Sequence, residues 1–144
     1  MKKAIRAFVL FLAVTLLAVS CNKGDINSIM VSGKWELVHI LTYDANNYAN
    51  LLDTDRPAAK GLRVFYKFTS DGALEVTEAS SMNNQVIGIN RGSWAVDQNI
   101  LIIRLSGLAF EYDVDTANFT DLILFRDYEL AGKKVHQVTT FKKF

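Results

Sequence analysis

The sequence predicts an all-β domain, built as an eight-stranded antiparallel up-and-down meander that closes or nearly closes into a barrel. From Gly33 onward, β-branched and aromatic residues form short runs that turn-forming residues break roughly every 8–14 positions. No segment sustains a helical period over three turns. At 144 residues, half of them apolar, the chain has room for one domain with a sizeable core.

The predicted strands alternate apolar and polar side chains along much of their length, as sheets with one buried face do. They cover residues 34–42, 62–69, 73–79, 85–96, 100–105, 108–114, 121–128 and 134–142. The alternation is clearest in the second strand, where one face carries Leu62, Val64, Tyr66 and Phe68. After it, Ser70-Asp71-Gly72 predicts a tight hairpin turn, because glycine readily takes a positive φ.

Two strands depart from simple alternation, since they carry apolar residues on the face that should meet solvent. These residues are Val38 and Ile40 in the first strand and Ile123 and Phe125 in the seventh. Apolar side chains on both faces indicate a partner, or a packed loop, outside the sheet.

The connection over residues 43–61 is long for a compact domain. Helical content is expected only within residues 45–55, as a single turn around 48–52. Such a connection is either a functional lid or a surface excursion, and the sequence favours neither. A shorter turn is predicted at Thr116-Ala117-Asn118.

Residues 1–20 predict an export signal. Three basic residues lie within the first six positions, and residues 7–19 then form an apolar stretch with one polar member. This stretch is shorter than the ~18–20 residues that a spanning helix needs. Ser20 and Cys21 follow directly, at the boundary with the first polar segment.

The segment ending at Cys21 resembles the lipobox of bacterial lipoproteins, with Ala18 at the position where leucine is usual. The resemblance implies that Cys21 becomes the acylated first residue of the mature protein, and several acyl chains anchor a protein stably. An ordinary secretory signal that ends near a cysteine is the alternative. We expect a lipidated tether over residues 21–32, a domain over residues 33–144, and a place in the bacterial envelope, at the outer membrane on an undetermined face.

Charge and cysteine content exclude several classes of protein. Without residues 1–20 the chain keeps 13 of its 16 basic residues against 15 acidic ones, a net charge of −2. This balance argues against nucleic acid as a partner and against a polybasic membrane patch. The single cysteine, Cys21, excludes an internal disulfide.

Gly33-Lys34-Trp35 resembles the Gly-X-Trp signature of lipocalins, in which the tryptophan closes one end of the barrel. Three stretches resemble, in order, hairpins of the lipocalin-like lipoproteins of Bacteroidetes: residues 65–72, residues 92–96 with 100–103, and residues 112–114 with 122–124. The resemblance implies a lipocalin-like β-barrel or half-barrel lipoprotein, in a family whose functions are mostly undetermined.

Few residues of the sequence could act as catalytic groups, metal ligands or modification sites. His39 and His136 lie in the first and last predicted strands, which pair in a closed barrel, but no third ligand accompanies them. Acidic pairs at 53/55 and 113/115 are better explained as solvated positions than as calcium or glycosidase sites. We therefore expect no metal, no cofactor and no enzymatic activity. Thr116 lies in an Asp-Thr-Ala sequence that resembles an O-glycosylation acceptor of Bacteroidetes.

The bulky aromatic residues that face the predicted interior leave two possibilities. Either they fill the core, or a splayed barrel leaves Trp35, Tyr66, Trp94 and Tyr112 lining an apolar cup with polar groups. The leading functional hypothesis is a membrane-anchored lipoprotein that binds a small hydrophobic or amphipathic ligand. The alternative is a subunit that docks another envelope protein through an exposed β surface.

Overall fold

The computed structural model describes residues 26–144, which form nine antiparallel strands. The strands are β1 (Gly33–Asp44), β2 (Asn47–Asp55), β3 (Leu62–Phe68), β4 (Ala73–Ser80), β5 (Val86–Asp97), β6 (Ile100–Leu105), β7 (Leu108–Ala117), β8 (Asp121–Leu130) and β9 (Lys133–Lys143). Their order is β2-β1-β3-β4-β5-β6-β7-β8-β9, and β1 also pairs with β9. Eight strands therefore close into an up-and-down barrel, with β2 added beside β1. The predicted all-β, lipocalin-like barrel is confirmed.

The alternation that predicted the strands also determines which side chains fill the barrel. Tyr66 and Phe68 of β3 lie opposite Val76 and Leu74 of β4, and all four belong to the core or pack against it. The predicted hairpin turn joins these strands, with Gly72 at φ 86°. Local hydrophobic periodicity and turn chemistry thus agree on this part of the fold.

The prediction that Ile40 faces outward is wrong. The β1–β9 register skips Val38, since Leu37 pairs with Phe141 and His39 pairs with Thr140. This β-bulge shifts the alternation of β1 by one residue. Ile40 therefore packs against the core, whereas Val38 is partly exposed.

The predicted helical turn at residues 48–52 is also wrong, because these residues belong to β2. They pair with the second half of β1, where β3 no longer does. Asparagine, aspartate and alanine have low strand propensity, so the free edge of β1 determines the conformation here. The described helices are α1 (Ser28–Val31) and a 3-10 helix (Pro57–Lys60).

The turn predicted at Thr116-Ala117-Asn118 lies further along the chain. Thr116 and Ala117 still belong to β7 and pair with β8. The turn comprises residues 118–120, and the backbone amide of Asn118 donates to the carbonyl of Asp121 at 3.0 Å. The strand continues because Ala117 packs against the core.

One end of the barrel, which we call the closed end, is formed by α1 and the turns at residues 69–72 and 118–120. Trp35, Phe68 and Phe141 are almost fully buried there. Asn27 caps α1 by accepting hydrogen bonds from two backbone amides, and the α1 carbonyl of Val31 accepts one from Trp35 Nε1 at 2.7 Å. Residues 26–32 of the predicted tether therefore pack onto the barrel.

The predicted signal peptide, residues 1–20, and the predicted lipid attachment site, Cys21, lie outside the described residues. Within residues 26–144, no helix has the length and hydropathy needed to cross a bilayer.

Candidate functional site

The end of the barrel opposite to the closed end, which we call the far end, is splayed. The β1–β3, β5–β6 and β7–β8 ladders pair only in the half of the barrel next to the closed end. The β7–β8 ladder, for example, stops at Asp113 and Phe125. Beyond that level two groups of strands continue, β2-β1-β9-β8 and β3-β4-β5, whereas β6 and β7 turn back at residues 106–107. A ligand would therefore enter the interior most easily from the far end.

Arg126 is a candidate functional residue that the sequence analysis did not select. It lies in β8, two and four positions after the buried Leu124 and Leu122, and it pairs with Gln137 of β9. The alternation of β8 therefore directs its side chain into the barrel. The same alternation is visible in the sequence, so Arg126 could have been identified as an inward-facing cation.

Aromatic rings surround the Arg126 guanidinium. Its central carbon lies 4.4 Å from the ring centre of Tyr128, 5.2 Å from that of Phe110 and 5.3 Å from that of Tyr112. Cation–π contacts at these distances are worth about 0.5–2 kcal/mol each, more where water is excluded. The rings thus hold the cation in a partly buried position.

Among residues 26–144, no carboxylate lies within ion-pair distance of Arg126, although Glu111, Asp113 and Asp127 line the cleft beside it. The ion pairs found within residues 26–144 involve other residues. Nη2 of Arg126 donates to Gln137 Oε1 at 3.1 Å, and Nε is buried without a hydrogen-bond partner. A buried donor without a partner costs about 1–3 kcal/mol, so the geometry suits an added acceptor.

Two of the four residues predicted to bind ligand, Tyr66 and Tyr112, lie in this interior region. Burial raises the pKa of Tyr66 to about 12, and the nearby Tyr112 and Glu78 add to the effect. Burial also raises the pKa of Tyr112, against the opposing charge of Arg126. Both phenols therefore stay protonated at neutral pH and can donate hydrogen bonds to a ligand.

The other two predicted residues, Trp35 and Trp94, pack at the closed end. Trp35 is fully buried, and the Trp94 ring lies 5.3 Å from that of Phe68. Both indole N–H groups are satisfied by backbone carbonyls, at 2.7 Å for Trp35 and 2.9 Å for Trp94. The half of the barrel near the closed end is thus filled by side chains, and the polar groups are near the far end.

A cleft of about 230 Å³ opens beside Arg126, where β7 and β8 separate. Tyr112 and Arg126 form its inner wall, and Glu111, Asp113 and Asp127 form its outer rim. The acidic rim would repel an anion. An anionic ligand is therefore expected to reach Arg126 from the far end rather than through this cleft.

The two histidines lie on the outer surface of the barrel. His39 pairs with Thr140 and His136 with Tyr43, so they are four positions apart along β1. His136 Nδ1 lies 2.6 Å from Asp127 Oδ1. Among the described residues, no group of three or more metal-binding side chains comes together.

Thr116, the predicted glycosylation site, does not lie in an accessible turn. Its backbone pairs with Ile123, its side chain is half-buried, and its hydroxyl donates to Asp115 at 3.0 Å. Whether Thr116 is modified stays a prediction.

Comparison with solved structures shows a lipocalin-like fold. A lipocalin-like protein from Bacteroides uniformis superposes with a TM-score of 0.52 at 16% identity, covering 80% of this chain and 99% of that one. An uncharacterized protein from Bacteroides eggerthii gives 0.53 at 12% identity, covering 78% and 98%. The siderocalin Ex-FABP gives 0.44 at 14% identity, covering 80% and 74%. No protein-family profile and no curated protein matches the sequence.

Proposed function

We propose that this chain, whose fold is lipocalin-like, binds a small amphipathic molecule with an anionic head group inside the barrel. The observation that carries the proposal is Arg126, a partly buried guanidinium held by aromatic rings, with a partnerless Nε and no carboxylate paired to it among residues 26–144. A carboxylate could pair with the guanidinium through two parallel hydrogen bonds. The proposed role is binding, with no catalytic step.

The surroundings of Arg126 fit both parts of such a ligand. The phenol of Tyr112 is a protonated donor beside the guanidinium, and the buried phenol of Tyr66 is a second donor close enough to Tyr112 to be affected by its charge. Partly buried apolar side chains continue inside the barrel toward the far end, among them Val64, Leu105 and Phe110. Tail and head group would thus meet apolar and polar surfaces respectively, as in most small-molecule sites.

A fluorescent fatty acid and its ester test the role of charge. We expect cis-parinaric acid to bind a Cys21→Ser form of the protein, which carries no acyl chain of its own, more tightly than the methyl ester does. A hydrogen bond to a charged group is worth about 1.5–3 kcal/mol, so Arg126→Met should weaken binding of the acid by roughly 10–100-fold. The ester should be little affected.

The matched control is Arg104→Met, because Arg104 is an exposed arginine of β6, two strands away from β8. It removes the same charge from the protein without touching the interior. Equal affinity of the wild type for acid and ester, or unchanged binding of the acid by Arg126→Met, would contradict the proposed head-group site.

We also propose that the mature protein is anchored by acyl chains on Cys21, at the outer membrane of a bacterial envelope. The leader sequence supports this proposal, and so does the position of Ile26 at the closed end, five residues after Cys21. A palmitate analogue should label the wild type and not Cys21→Ser. The variant should also leave the membrane fraction. Equal labelling of both forms would refute the anchor.

A second candidate function is docking of another envelope protein, and the free edge of β5 favours it. Residues 86–91 pair with β4 on one side only, and Val86, Ile87 and Ile89 are exposed there. An unpaired apolar edge can accept an extended strand from a partner. A photo-crosslinker at position 87 should then capture one defined protein in the native host, and Ile89→Lys should abolish the product. Crosslinks that Ile89→Lys leaves unchanged would contradict strand addition.

A further inference from the structure

The closed end carries a group of large apolar side chains that nothing in residues 26–144 covers. Phe119 is 96% exposed, Ile29 80% and Met30 45%. These three residues, which we call the closed-end patch, line one surface groove of about 450 Å³ between α1 and the β7–β8 turn. Contiguous exposed apolar surface of this kind marks an interaction site.

Ordered backbone presents the patch. Asn118 Oδ1 accepts hydrogen bonds from the amides of Thr120 and Asp121, both at 2.8 Å, and the carbonyl of Thr120 accepts one from Lys143 at 2.9 Å. On the other side of the groove, Asn27 caps the short helix that carries Ile29 and Met30. The apolar side chains are therefore held outward by a hydrogen-bonded frame, and they do not collapse onto the barrel.

The beginning of the described chain indicates what the patch meets. Ile26 packs against the core at the closed end, and its amide donates to Asn99 Oδ1 at 3.1 Å. The proposed acylated residue, Cys21, lies five residues earlier, and five residues span at most about 18 Å when extended. Acyl chains on Cys21 would therefore hold this end of the barrel against the bilayer.

The size of the patch favours lipid over protein. Large side chains each present roughly 150–250 Å², so three partly exposed ones amount to on the order of 400 Å². A specific protein interface buries about 800 Å² on each partner. A few inserted apolar side chains are enough at a bilayer, because a lipid anchor already supplies most of the affinity.

We propose that the closed-end patch is a membrane-contacting face, on which Ile29, Met30 and Phe119 insert into the interfacial layer of the bilayer that holds the acyl chains of Cys21. The inference rests on the proposed lipid anchor. Contact of the closed-end patch with the bilayer would turn the far end of the barrel, and with it the entrance to Arg126, away from the membrane. Because the mature chain has a net charge of −2, insertion depends on apolar contact and should persist on zwitterionic phosphatidylcholine.

The test uses the mature acylated protein in phosphatidylcholine vesicles. Phe119→Cys and Met82→Cys are labelled separately with the fluorophore NBD, which added dithionite reduces in water. Met82 is the matched control, because it is 90% exposed in the turn before β5, at the far end. We expect NBD at position 119 to be reduced roughly tenfold more slowly than NBD at position 82, since about 5–10 Å of interfacial burial shields it. Ile29→Cys should behave like Phe119→Cys.

Each outcome separates the two proposals. If mass spectrometry finds acylated Cys21 but positions 119 and 82 are reduced equally fast, the patch is not a membrane face, although the anchor stands. An unacylated Cys21 would overturn both proposals. Concentration-dependent protection of position 119 without vesicles would show that a second copy covers the patch, and the membrane proposal would be wrong. Because Phe119 is 96% exposed, its substitution should not affect folding, which circular dichroism checks.

Discussion

Replacing Arg126 with methionine should make the ligand-free protein slightly more stable, although the same change should weaken ligand binding. Most buried charges that take part in structural ion pairs behave in the opposite way, because their removal leaves a charged partner behind. Within residues 26–144, Arg126 has no such partner. Methionine has a similar length and can occupy the space among the surrounding rings without a charge.

The expected magnitude follows from the contacts of Arg126. The substitution removes three cation–π contacts, for which we take a combined ~1–2 kcal/mol, and one hydrogen bond to Gln137, worth about 1 kcal/mol. It also relieves the buried Nε, which costs about 1–3 kcal/mol, and the desolvation of a partly buried charge, which is a fraction of the several kcal/mol that full burial costs. The balance is a net stabilisation of about 1 kcal/mol, or a rise in Tm of roughly 3–5 °C for a domain of this size.

Urea and thermal unfolding of the delipidated, ligand-free protein measure this difference. Arg104→Met is again the control, because it removes an exposed charge and should change the free energy of unfolding by less than about 0.5 kcal/mol. A loss of more than ~2 kcal/mol in Arg126→Met would show that Arg126 is a structural residue. The ligand-binding argument would then lose its basis.

Three further predictions concern stability and titration. Gly92→Ala should lower the free energy of unfolding in a urea titration by about 2 kcal/mol or more, because the new methyl group would overlap the backbone carbonyl of Arg104 in β6. Gly88→Ala is the control and should be nearly neutral, because the space around Gly88 is open. The hydrogen bonds from Arg63 lower the pKa of Glu36, so the pair should stabilise the fold above pH 4.5 and stop doing so as the pH falls below that value. Because both side chains are partly exposed, Glu36→Gln should lower the free energy of unfolding by no more than ~1 kcal/mol. A dependence of stability on acid pH that Glu36→Gln leaves unchanged would argue against the pair. Burial raises the pKa of Tyr66 to about 12, so its protonated phenol should stabilise the fold below pH 10 and stop doing so between pH 10 and 12. Ultraviolet titration should show a late phenol ionisation that Tyr66→Phe removes. Ionisation of Tyr66 near pH 10 would contradict its burial.

Local sequence patterns were enough to predict most of the barrel, because its hairpins are short and its strands alternate. They failed where a distant element decides the outcome. The strand at residues 47–55 has low intrinsic propensity and forms on an edge of β1 that sequence does not reveal. The bulge at Val38, which turns Ile40 inward, depends likewise on pairing with β9.

The sequence predicted which aromatic residues face the interior, but not where along the barrel each of them lies. The alternation of apolar residues correctly placed Tyr66 and Tyr112 inside the barrel, but it also selected Trp35 and Trp94, whose polar atoms are used by the backbone. Strand tilt and ladder length determine which aromatic residues fill the closed end and which line the interior toward the far end. Arg126 was overlooked because an inward-facing charge breaks the hydrophobic rule, and such exceptions often mark functional positions.

Closure of the barrel joins strands from opposite ends of the domain, and this has a consequence for the order of events in folding. Trp35 of β1 pairs with Lys143 of β9, although 108 positions separate them in the chain. A topology with such non-local pairing folds slowly, and the ring cannot form until its last strand is present. A chain emerging from the ribosome can therefore close its barrel only after β9, the last strand, has been made.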